Sequence, residues 1–263
     1  MEEASFNRTA PPSAPAQVGL VASLLAVAAA AWAVTGERMD GMDAGPGTGL
    51  GGLGWFAVVW VTMMAAMMLP SIVPMVLAHA RFRIGATPAF VAGYLLTWAA
   101  VGTLAYALVE GVRSLDLGLL AWDEAGPYVA GGAILAAAVY QLSRPKDRNL
   151  QRCRNAGAFV SEHWRPGQIG ALRMGLEHGR ICVGSSWALM AALFALGVMS
   201  VGWMALVAAL IAAEKLLPWP AAATRGIAIL LAVLGLAIAF APDDVPGLTV
   251  PSDAPAMEDM GMR

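Results

Sequence analysis

The chain has 263 residues, 59% of them hydrophobic and 13% charged, with 29 Gly, a mean hydropathy of +0.66 and a formal net charge of -2. These values exclude an ordinary soluble domain and imply an all-α fold, a polytopic transmembrane helical bundle. Two cysteines, Cys153 and Cys182, are too few for a disulfide framework.

Residues 1–17, with Pro11, Pro12 and Pro15, read as a disordered leader. The first apolar run, Val18 to Val34, has the look of a signal peptide because Ala31-Trp32-Ala33 resembles a cleavage site. Glu2 and Glu3 against the single Arg8 are the wrong flank for one, and the run is long, so it is read as a retained helix. A helix needs about 20 apolar residues to cross the hydrocarbon core. Candidate spans are 18–35, 55–78, 88–110, 127–143, a long apolar region from 181 to 217, and 224–241.

The region 181–217 decides the span count. As one helix its apolar core, 183–213, would be roughly 46 Å long at about 1.5 Å per residue, too long for a core of about 30 Å without extreme tilt. Gly197, Ser200 and Gly202 lie where a turn would fall. The expectation is a tight hairpin of 181–198 and 201–217, giving seven spans; one long broken helix would give six. The spans form a single transmembrane domain, 18–241, with a basic cytoplasmic loop at about 144–180 that includes a short amphipathic piece near 168–177. Residues 242–263 read as a flexible extracytoplasmic tail.

With seven spans and a cytoplasmic N-terminus, all of the 16 Lys and Arg residues except Arg38, Arg113 and Arg263 fall on the inner side. The basic segment 144–180 is placed to touch membrane lipid headgroups. Topology accounts for its charges, so nucleic acid is not an expected partner.

The chemistry centres on Trp60-Val61-Thr62-Met63-Met64-Ala65-Ala66-Met67-Met68-Leu69-Pro70-Ser71. Residues three and four apart share a helix face, so Met63, Met64, Met67 and Met68 form one thioether strip. Thioether sulfur is a soft donor suited to Cu(I), although methionine also fills apolar interiors with no ligand role. Pro70 and Pro74 kink this span, and irregular backbone at membrane depth is tolerated where it lines a cavity or is packed in protein. Met39 and Met42, interleaved with Asp40 and Asp43, and Met257, Met260 and Met262, beside Glu258 and Asp259, form two Met/acidic clusters. Both fall outside the membrane in the seven-span topology, where thioethers resist oxidation better than thiols.

His178 and Cys182, four apart, share a face if the helix extends back through Gly179, and Cys153 or Met174 could add a donor. Glu214 and Lys215, at the inner end of the sixth span, are read as interfacial anchors, since ionisable groups at a span end can reach water. No phosphate-binding glycine loop, G-x-S-x-G elbow or HExxH motif is present, so no enzyme is indicated.

The pattern from Trp60 to Ser71, Gly93-Tyr94 with Trp98, Cys182-Val183-Gly184-Ser185-Ser186-Trp187, Met190, Met199, Trp203-Met204 and Glu214-Lys215 resembles a bacterial family of predicted metal-binding integral membrane proteins, over roughly residues 55–235. Within that family a copper-chaperone role, supplying a tyrosinase-type enzyme, has been proposed. The resemblance implies a multi-pass protein of the bacterial inner (plasma) membrane that handles copper. The chain departs from the pattern where the family usually reads C-L-G-C-C-W: Ser185 and Ser186 stand where thiols are usual, and only Cys153 remains of an upstream cysteine pair. Serine does not replace a thiolate as a Cu(I) ligand.

The expected function is binding of soft metal, as Cu(I), through methionine clusters, and its delivery to an extracytoplasmic copper protein. Two alternatives remain open at this point: a structural or assembly subunit packed against other membrane subunits, and a transporter of a non-metal solute built on the proline-broken span.

Overall fold

The computed structural model describes residues 13–39, 51–114, 126–197, 200–242 and 245. Residues 1–12 of the leader, Met42 and the tail methionines Met257, Met260 and Met262 lie outside them, as does Met199; residues 14–17, expected in a disordered leader, are instead the start of the first helix. Among the described residues all regular structure is helical.

The first helix, α1 (Ala14–Met39), runs past the expected end of its span and buries Met39 as its last residue, so that methionine does not sit in a free polar loop. The second expected span is broken. Helix α2 (Leu53–Met68) stops where Pro70 cannot donate to the carbonyl four residues back. A short 3-10 turn, Pro70–Ile72, follows. Pro74 then sits in the first turn of α3 (Val73–Arg83), where the missing N–H is tolerated. The Ser71 hydroxyl donates to the Met68 carbonyl at 2.8 Å and so satisfies one acceptor at the break.

Helices α4 (Thr87–Ser114) and α5 (Gly126–Gln141) lie at the third and fourth expected spans. The segment expected as a basic loop is helical. Ser143 caps α6 (Arg144–Arg154), which has Pro145 in its first turn, and Asn155 caps α7 (Ala156–His163). Helix α8 (Gly167–Leu196) takes in both the expected amphipathic piece and the fifth span as one rod of 30 residues. It ends at Gly197, whose φ of 107° lies in the left-handed region that favours glycine, and α9 (Val201–Leu216) returns beside it. The turn is therefore where the sequence places it, but the first arm begins 14 residues earlier than expected because Gly175 and Gly179 are held inside a packed helix. Helix α10 (Pro220–Phe240) is the last of the described helices.

Four stretches, Ala14–Met39, Pro70–Gly111, Gly167–Leu196 and Pro220–Phe240, are long and apolar enough to cross a membrane, and Leu53–Met68 is a shorter apolar helix. Neighbouring helices pack in defined directions. The Arg38 guanidinium lies over the Trp55 ring, bringing the end of α1 to the start of α2. Trp60 Nε1 donates to the Trp98 carbonyl at 2.8 Å and Phe56 meets Tyr106, so α2 runs antiparallel to α4. Helices α4 and α8 run parallel and nearly touch. A side chain on Gly93 would strike the Leu172 carbonyl, and one on Gly175 would strike that of Phe90. Such small-residue contacts are how helices approach in lipid, where no hydrophobic force draws them together. Gly131 and Gly235 do the same for antiparallel α5 and α10.

Candidate metal centre

The thioether strip is wholly internal: none of Met63, Met64, Met67 and Met68 is more than 2% exposed. They do not face lipid, and the four form part of one continuous core with Met75, Met174, Met190 and Met204.

Because α8 is continuous through Gly179, Met174, His178 and Cys182 recur at four-residue spacing and all three are buried. The His178 ring stacks on Phe90 and Tyr94 of α4 and meets Phe159 of α7 edge-on. Its Nδ1 is buried without a hydrogen-bond partner among the described residues. His79 of α3 stacks on the same Phe90, and neither of its ring nitrogens has a partner among the described residues. Nothing in the local sequence marks His79 for that position.

Cys182 is the meeting point of four elements. Lys215 of α9 donates to its sulfur at 2.9 Å, and the Tyr94 hydroxyl of α4 lies 3.1 Å from it. Cys153 reaches the same place from α6, its sulfur 3.7 Å from the Ser185 hydroxyl one helical turn from Cys182. The neighbouring Cys182 sulfur first, and burial second, push the Cys153 thiol well above its ordinary range. Lys215 also donates to Ser71 Oγ at 3.4 Å, and Ser71 donates to the Met68 carbonyl. A chain of hydrogen bonds thus leads from the Cys182 sulfur through Lys215 and Ser71 to the Met68 end of the thioether strip.

The two serines that stand for thiols are in this place as well. Ser185 Oγ is 3.7 Å from Cys153 Sγ, donates to the Cys182 carbonyl at 2.8 Å, and lies 3.3 Å from Ser186 Oγ. Thiols at 185 and 186 would join Cys153 and Cys182 in one sulfur cluster. Their replacement leaves a two-thiol site.

Glu214 and Lys215 are not interfacial anchors. Glu214 is buried and pairs with Lys146 of α6, which is fully buried, at 2.6 Å. Burial pushes the Lys146 ammonium below its ordinary value, and the Glu214 carboxylate opposes that shift. Arg154 donates to the carbonyls of Glu214 and Leu217 at 2.6 and 2.7 Å, satisfying the end of α9. Helix α6 is in this way fastened over the Cys182 site. The sequence signal for this arrangement is the Glu-Lys pair closing an otherwise apolar helix; placing it at the water boundary hid its partners, which lie 33 to 144 positions away along the chain.

Among the described residues no three His, Cys, Asp or Glu side chains converge in a way that could hold a metal ion. The sulfur donors gathered there, thiol and thioether, are soft ones. A family model described as PpoB2, copper chaperone, matches residues 57–238. The chain belongs to this copper chaperone family. No curated protein and no solved structure matches it. The part of the chain matched to the copper chaperone family contains Met63 to Ser71, Tyr94, Cys153, His178, Cys182 and Lys215. Met39 and Met42, and the Met257, Met260 and Met262 cluster, fall outside it.

Proposed function

We propose that the chain is an integral membrane copper chaperone that holds Cu(I) at Cys182 and Cys153 and passes it along the methionine strip of α2 to an extracytoplasmic copper protein. The observation that carries this reading is the convergence at one buried sulfur, Cys182, of Cys153 from α6 and, through Lys215 and Ser71, of the Met68 end of the strip. Thiolate and thioether are the ligands that Cu(I) favours, and weak thioether sites suit an ion that must leave again. Family membership supports copper as the cargo.

In this reading α1, the α2–α3 unit, α4, α5, α8, α9 and α10 cross the plasma membrane as seven spans. Helices α6 and α7 lie on the cytoplasmic side, where their arginines belong. The role is non-catalytic: the ion changes ligands and no covalent bond of a substrate is altered. Met39, Met42 and the tail methionines receive or present the ion at the outer face. A purely structural subunit would account for the glycine contacts of α4 and α8 but leaves the sulfur convergence without a purpose.

Metal content of the purified protein, reconstituted with Cu(I) under reducing conditions and desalted, tests this. Wild type should retain copper. Cys182→Ser should lose most of it, and Met64→Leu/Met67→Leu/Met68→Leu should weaken retention by about tenfold or more with folding intact. Wild type that emerges free of copper, or a Cys182→Ser protein that retains it in full, overturns the site.

A further inference from the structure

Lys215 is an unusual neighbour for a cation site. Its ammonium is buried, donates to the Cys182 sulfur at 2.9 Å, and is held there by Ser71 on its other side. The nearest carboxylate, Glu214, is already paired with Lys146, and Arg154 adds a guanidinium at the end of the same helix. The surroundings of Cys182 therefore carry a fixed positive charge that no free carboxylate offsets among the described residues.

We infer that Lys215 sets the charge of the ion this site accepts, admitting a monovalent soft ion and rejecting divalent soft ions of the same ligand preference. This rests on the copper reading of Cys182. Metal-bound cysteines are thiolates, so the thiolates of Cys182 and Cys153 and the one ammonium leave a single negative charge before the ion is counted. A monovalent ion then makes the site neutral, whereas a divalent ion leaves a net positive charge in the interior. Like charges a few ångströms apart in a medium of low effective dielectric repel far more than they do in water. Softness alone cannot make this distinction, because thiolates bind soft divalent ions as readily. The hydrogen bond from Lys215 to the ligating sulfur also withdraws electron density from it, which weakens the bond to a doubly charged ion most.

Silver(I) and cadmium(II) test the idea directly, since both are soft, both have filled d shells and they differ in charge. Purified full-length protein is equilibrated with each ion separately and then in competition, and bound metal is measured after desalting. Wild type should bind silver(I) and copper(I) and hold cadmium(II) at least about tenfold more weakly. Lys215→Met should narrow that preference by about tenfold or more, and Lys215→Arg, which keeps the charge, should restore it. A structural role for Lys215 would lower binding of both ions together and leave their ratio unchanged. Wild type that binds cadmium(II) as tightly as silver(I) overturns the inference whether or not the variants fold. An unchanged ratio in folded Lys215→Met overturns it too. Wild type that binds neither silver(I) nor copper(I) overturns the copper reading itself, and the inference falls with it.

Discussion

At the scale of single residues, Ser185 carries the sharpest consequence of this chain's departure from the thiol-rich pattern it resembles. Its hydroxyl lies against Cys153 and on the same helical turn as Cys182, in a buried setting. Serine and cysteine differ by one atom, so Ser185→Cys adds a third sulfur without overfilling the core. Competition with a chromogenic Cu(I) chelator should show the variant binding copper about tenfold or more tightly than wild type, because a hydroxyl is replaced by a soft donor. An unchanged affinity would mean that position 185 does not face the ion. The methionine strip is legible at this scale, since four residues at helical spacing define a face through their spacing alone. Tyr94, Ser71 and Lys215 are not, because each reaches the Cys182 site from a separate element, and pairing between helices leaves no periodic trace in the chain.

At the scale of elements, α6 is the part that turns a membrane bundle into an enclosed site. It brings Cys153 to Cys182 and is held by the Lys146–Glu214 pair and by Arg154 on the last carbonyls of α9. Breaking a buried ion pair by removing one partner leaves the other charge unpaired and costs about 3–5 kcal/mol. Lys146→Met should therefore lower the thermal unfolding midpoint in detergent and raise the rate at which a maleimide labels Cys153. Lys146→Met/Glu214→Gln, which removes both charges, should recover most of the lost stability; a double variant as unstable as the single one would show that the pair is not what holds α6. The sequence suggests a loop here because eight basic residues within 144–180 satisfy the topology rule on their own. Local signals for helix are nevertheless present: Ser143 ahead of Pro145, and Asn155 ahead of an apolar turn, are capping patterns. Charge explains where the segment lies and masks what it does. The α8–α9 turn, by contrast, follows from length and glycine alone, since a bilayer of fixed thickness leaves few ways to fold about 30 apolar residues.

At the scale of the whole molecule, the directions of the packed helices bear on which side the chain ends. The end of α1 meets the start of α2, α2 opposes α4, α4 runs parallel to α8, α9 returns along α8, and α10 opposes α5. If each of these units crosses the membrane, the start of α1 and the end of α10 lie at opposite poles. In that arrangement the end of α10 lies across the membrane from the basic α6–α7 segment. A count by helix length gives four candidate spans instead, because α2, α5 and α9 have 16 residues each and are short for a full crossing. Short helices can still span where flanking turns and neighbouring helices shield their ends or where the bilayer thins. Reporter fusions decide between the arrangements. A phosphatase that is active only outside the cytoplasm, fused after Arg263, should be active, and the same reporter fused within 144–154 should be silent. A silent C-terminal fusion would mean an even number of crossings. The tail methionines would then face the same compartment as Cys153, and the ion would enter and leave the site from one side of the membrane.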